Sequence, residues 1–129
     1  MEQKKFIEKM QGVEYALSAT SRKLLDFIDS VYITPGPLSI YKKDILEKVG
    51  GFDRNNITED MEITWRLLEK GYKSRMCINA YSLSKTPSTF RGWWGQRIRW
   101  NIGAIQTVKK YKHVFPKKQF GMLGIFIMP

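Results

Sequence analysis

Thr58, Glu59 and Asp60 set two adjacent carboxylates just ahead of Met61-Glu62-Ile63-Thr64-Trp65-Arg66-Leu67-Leu68, in what the pattern makes the first turn of a helix. A carboxylate held at a helix start beside bound substrate can take a proton from a hydroxyl nucleophile, if its pKa and position suit the step. A structural role fits the same residues. Asn56 followed three residues later by Glu59 satisfies the capping-box rule, and acids in a first turn complement the helix dipole. Spacing alone leaves both open.

Gln96-Arg97-Ile98-Arg99-Trp100 is the second group. The fork of donors on Arg99 can pair with diphosphate oxygens. Gln96, three residues earlier, shares its helical face and can hydrogen-bond the same ligand. Trp100 offers a flat apolar surface for a sugar ring. The competing reading is a basic amphipathic helix on a membrane, with arginines at the headgroups and tryptophans at the interface. The two readings are compatible.

These groups need elements to position them. Phe6, Met10, Val13, Leu17, Leu24, Leu25 and Ile28 recur at helical intervals, which predicts a helix from Lys4 to about Asp29, with a break plausible at Gly12 or Ser18–Ser21. Val31–Thr34 and Leu38–Tyr41 read as short strands around the Pro35-Gly36-Pro37 turn, and Tyr72–Leu83 as a further strand-like stretch. Lys42–Val49 reads as a short helix stopped by Gly50-Gly51. A helix from near Thr58 ends at Gly71, and a longer one runs from Ser88 to about Tyr111.

The chain has 129 residues, enough for one domain at most. Its net charge of +10 is unevenly spread. Residues 1–69 carry 10 Lys/Arg and 12 Asp/Glu, whereas residues 70–129 carry 12 Lys/Arg and no acid. That basic half suits phosphate, nucleic acid or an anionic membrane surface. One cysteine, Cys77, and one histidine, His113, exclude an internal disulfide and a Cys- or His-rich metal site. Phe120–Pro129 is almost wholly apolar but shorter than the roughly 20 residues a bilayer span needs. It reads as the start of a membrane helix, with a buried terminal strand as the alternative.

In order and spacing these pieces resemble the processive type of family 2 inverting glycosyltransferases, related to cellulose, chitin and hyaluronan synthases. The resemblance runs from about Gln11 to Lys112. It rests on Glu14-Tyr15, Thr34-Pro35-Gly36, Leu38-Ser39-Ile40-Tyr41, Gly50-Gly51-Phe52-Asp53, Glu59-Asp60, Arg66-Leu67, Lys70-Gly71-Tyr72 and Gln96-Arg97-Ile98-Arg99-Trp100. It implies an α/β fold: the C-terminal half of a GT-A type domain, helices packed on a small mixed sheet, truncated before the membrane helices. Residues 1–112 would form the acceptor and base half of the catalytic domain. Residues 113–129 would be a basic linker and the start of a truncated membrane segment.

By the same resemblance, a sugar passes from a nucleotide-sugar, usually a UDP-sugar, to a glycan or lipid acceptor with inversion. Asp60 is then the general base, with Thr58 and Glu59 positioning it and Glu59 tied to the helix end. Gln96 and Arg99 contact the donor diphosphate, Trp100 lines the acceptor's entry, and Gly36 lies beside the growing sugar. The enzyme would sit in the cell membrane with its catalytic domain on the cytoplasmic side. A divalent cation, Mg or Mn, is expected, but the family's Asp-x-Asp motif is absent and Asp26-Phe27-Ile28-Asp29 has the wrong spacing. The N-terminal half of the domain is also missing. The segment alone is therefore expected to be inactive, to expose a strand edge and apolar faces, and to self-associate. The alternative is a basic membrane-surface or nucleic-acid-binding module without catalysis. The acidic pair at the helix start would repel phosphates and argues against nucleic acid.

Overall fold

The structure, a computed structural model, describes residues 6–115 and 117. Among the described residues four α-helices carry the fold: α1 (Phe6–Asp26), α2 (Lys43–Lys48), α3 (Glu59–Glu69) and α4 (Phe90–Lys110). Short 3-10 turns occupy Gly36–Leu38 and Lys112–Val114. All four helices fall where apolar periodicity places them, and α1 runs through Gly12 and Ser18–Ser21 without a break.

The expected α/β architecture is not found: the described residues contain no strand, and no mixed sheet underlies the helices. A strand exists only as a partner in a hydrogen-bonded ladder, so β-branched residues cannot make one alone. No backbone hydrogen bond joins 31–34, 38–41 and 72–83 to one another. Val31 is instead buried, and Ile33 packs on the cluster beneath α3 and α4. Ile78, Tyr81 and Leu83 stand exposed, so 72–83 has no buried face to set a register. Among the described residues the anticipated strand edge is absent with the sheet. The apolar Phe120–Pro129 lies outside the described residues.

The core lies where α3 meets the end of α4. Met61, Trp65, Tyr111 and Val114 are buried together, with Leu68, Ala104, Val108 and Phe115 around them. Trp65 packs edge-on against Phe115, ring centroids 5.7 Å apart, and at a tilt against Tyr111, 6.0 Å away.

A polar node reinforces this core. Glu62 is fully buried and accepts from Lys110 Nζ (2.7 Å), the Tyr111 hydroxyl (2.7 Å) and the Arg66 guanidinium. Burial alone would raise its pKa, but these three donors hold its carboxyl below the ordinary value. Arg66 also donates to the carbonyls of Val49 (3.0 Å) and Gly51 (2.8 Å), tying the end of α2 to α3. Gly50 and Gly51 turn that corner at φ +88° and +71°, and Gly71 ends α3 at φ +80°, values that side-chain-bearing residues rarely adopt. Asp26 and Asp29 share the Arg75 guanidinium, at 3.4 and 2.7 Å from the same nitrogen, and no third acid, His or Cys joins them among the described residues. They pair with Lys23, Lys73 and Arg75, fastening the end of α1 to residues 73–76.

Candidate functional site

Asp60 stands at the junction of two shallow hollows. One, of about 280 Å³, is lined by Ile57, Thr58, Glu59, Asp60, Arg99 and Trp100. The other, of about 380 Å³, is lined by Gly36, Ser39, Tyr41, Phe52, Glu59 and Asp60. Of the residues singled out in the sequence, Thr58, Glu59, Asp60, Arg99 and Trp100 come together in the first, and Gly36 joins Glu59 and Asp60 in the second. Gln96 lines neither. Its Oε1 accepts from Nε2 of the buried Gln11 at 3.1 Å, so it is a strut between α1 and α4.

Thr58 is the N-cap of α3, which places Asp60 at the second helical position. The anticipated capping box does not form. Asn56 Oδ1 folds back to accept from the Thr58 amide (2.9 Å) and hydroxyl (3.3 Å). Asp60 Oδ1, not Glu59, accepts an orphan amide of the first turn, that of Met61 at 2.8 Å. Glu59 is exposed and lines both hollows. Burial pushes the Asp60 carboxyl above the ordinary aspartate value and the neighbouring Glu59 charge adds to this, while the Met61 and Gly36 amides hold it back.

A chain of hydroxyls supports Asp60 from the Gly36 side. Thr64 Oγ1 donates to the Asp60 carbonyl at 2.7 Å. With its one proton committed there, it accepts from Thr34 Oγ1 at 2.8 Å. Thr34 must then accept from the Tyr41 hydroxyl, also at 2.8 Å. Tyr41 is thereby anchored with its ring edge-on to Phe52, centroids 5.5 Å apart. Sequence reasoning missed Tyr41 and Phe52 as site residues. Both belong to quoted motif fragments, but only the fold brings them into one hollow with Asp60.

On the other side, α4 carries Arg99 and Trp100 past the start of α3. The Arg97 guanidinium lies 4.3 Å from the Trp100 ring centroid and 5.5 Å from that of Trp93, and it is ion-paired to Glu14 of α1. One face of Trp100 is thus covered by Arg97, and the residue also lines the first hollow. Among the described residues no three His, Cys, Asp or Glu side chains gather as a metal site. Glu59 and Asp60 alone do not provide the oxygen set that Mg or Mn takes, so the residues present do not fit the expected cation.

A sequence profile described as "Glycosyl transferase family group 2" matches residues 1–128. A probable glycosyltransferase of Bacillus subtilis (YdaM) is 36% identical over 83 residues, covering 64% of this chain and 20% of the relative. A poly-beta-1,6-N-acetyl-D-glucosamine synthase of Staphylococcus aureus is 31% identical over 101 residues, covering 78% of this chain and 24% of the relative. The chain therefore spans about a fifth to a quarter of the length of these relatives. No solved structure matches it.

Proposed function

The chain belongs to glycosyl transferase family group 2, and on that premise we propose that it forms the base-bearing part of an enzyme that moves a sugar from a nucleotide-sugar to a glycan or lipid acceptor with inversion. The observation that carries this reading is the place of Asp60 between the two hollows. Arg99 marks the side for the leaving diphosphate, and Gly36, Tyr41 and Phe52 mark the side for the acceptor sugar. Asp60 takes the proton of an acceptor hydroxyl as that oxygen attacks the anomeric carbon. The bond to the diphosphate breaks on the opposite face, and the leaving group departs with the electron pair. A carboxyl raised by burial is a better-matched base near neutral pH than an exposed one. Trp100, with one face covered by Arg97, meets a sugar with the other. The cation ligands lie outside the described residues in this scheme.

Because the Staphylococcus aureus relative is a poly-beta-1,6-N-acetyl-D-glucosamine synthase, UDP-N-acetylglucosamine is the first donor to test, with UDP-glucose beside it. Asp60→Asn in the full-length polypeptide should abolish transfer while membrane association persists; undiminished transfer would remove Asp60 from its role. The 129 residues alone should give no turnover with either donor and Mn²⁺.

A membrane location has its own support. Trp94, Ile98, Ile102 and Ile105 form an exposed apolar stripe along α4, and Arg91 and Lys109 fall on the same face at its two ends. An apolar stripe bracketed by cations suits the plane of a cytoplasmic membrane surface. Among the described residues, no helix is long and apolar enough to cross a membrane.

A further inference from the structure

The opposite face of α4 is laced to the chain entering α3. Three successive residues ahead of Glu59 each meet it. Asn56 Nδ2 donates to Thr107 Oγ1 at 3.1 Å, and the Ile57 amide donates to Gln106 Oε1 at 3.3 Å. Thr58 lies so close to Gly103 that a Cβ there would stand 2.4 Å from its Cγ2 and Oγ1. Thr107 is itself fully buried and donates its proton to the Gly103 carbonyl at 3.0 Å, so its hydroxyl is satisfied on both sides. Positions 106 and 107 lie one helical turn after 103, and Arg99 lies one turn before it on the same face. Asp60 is two residues beyond Thr58.

From this register we infer that Asn56, Gly103 and Thr107 are positioning residues that set the span between the Asp60 carboxylate and the Arg99 guanidinium. The inference rests on the proposed base role of Asp60. A turn of helix is about 5.4 Å, so Arg99 stands at a fixed step from the three contacts. The loop and the helix then behave as one body, and neither end of the site moves without the other. A side chain at position 103 would have to drive Thr58 back by about 1 Å to restore ordinary contact. A displacement of that size at a reacting centre costs about 100-fold in rate. None of the three residues lines either hollow, so their effect should fall on turnover rather than on donor binding.

The test is steady-state transfer from UDP-N-acetylglucosamine and UDP-glucose by the full-length polypeptide, with UDP binding measured in parallel. Thr107→Val keeps the buried volume and removes the acceptor for Asn56, whereas Thr107→Ser keeps the hydroxyl. Thr107→Val and Gly103→Ala should lower kcat by about 10- to 100-fold, with donor KM and UDP affinity within about 3-fold. Thr107→Ser should stay within about 3-fold of wild type in kcat. Should Gly103→Ala fail to fold, the Thr107 pair decides alone. Wild-type kcat in Thr107→Val, or an equal loss in Thr107→Ser, would overturn the inference. A fully active Asp60→Asn would instead overturn the base role on which it rests.

Discussion

Asp60 carries opposing demands. Its folded pKa lies above the ordinary aspartate value because burial disfavours the charge. A group raised in this way contributes stability below its unfolded pKa and loses it as pH rises through the folded value. At neutral pH the ionised carboxylate is thus a cost to folding. Asp60→Asn should remove that cost, since an amide oxygen can still accept from Met61. We expect the variant to melt at or above the wild-type temperature at pH 7, the gap closing as pH falls through the raised folded value toward the unfolded value near ~4, while transfer falls by roughly 100- to 10,000-fold. A variant that loses activity and stability together would point to a structural carboxylate. Arg99 gives a complementary expectation. Lysine keeps the charge but not the fork, so Arg99→Lys should lower kcat/KM by about 10- to 100-fold. The test is initial rates against donor concentration.

At the scale of elements, Glu62 decides whether α3 and α4 stay joined. It is 0% exposed and serves Arg66, Lys110 and Tyr111 at once. Removing one partner of a buried ion pair leaves charge uncompensated, at about 3–5 kcal/mol, so Glu62→Ala should be among the most destabilising single changes. Its folded pKa is depressed, so its contribution is present above the unfolded pKa and fades as pH falls through the folded one. Thermal melts of wild type and Glu62→Ala should therefore converge in acid. Glu62 sits in the same first helical turn as Asp60, and spacing alone does not tell the two acids apart. Facing α4 or facing a hollow is a property of packing. The helices were legible because periodicity and glycine stops are local signals, as Gly71 shows at φ +80°. The strands read from Val31–Thr34 and Tyr72–Leu83 were not borne out, because β propensity reports a side chain's fit to a pleated surface and not the presence of a pairing partner. The partner of Gln96 was illegible for a related reason. Its oxygen accepts from Gln11, 85 residues away in sequence, a contact that no local signal reports.

At the scale of the molecule, large apolar side chains are more often exposed than buried among the described residues. Among the described residues seven apolar side chains are buried, while eighteen large ones are exposed. Two of the exposed sets are continuous. Phe6, Val13, Leu17 and Leu24 fall within a narrow arc of α1, and Trp94, Ile98, Ile102 and Ile105 within one of α4. Scattered exposed hydrophobics are ordinary, but contiguous stripes of this length associate with something. The isolated 129-residue chain should therefore self-associate in plain buffer and disperse in mild detergent. Leu17→Lys with Leu24→Lys interrupts the α1 stripe without touching either hollow or the Glu62 node, and Ile98→Lys with Ile102→Lys does the same for α4. Light scattering should show species well above the 15.1 kDa monomer for wild type, with each double variant shifted toward monomer and the fourfold variant furthest. If the α4 stripe lies on a membrane, only the α4 pair should also release the full-length polypeptide from anionic vesicles. A monodisperse wild-type monomer with a sharp melt would show that the two stripes are satisfied within the chain itself.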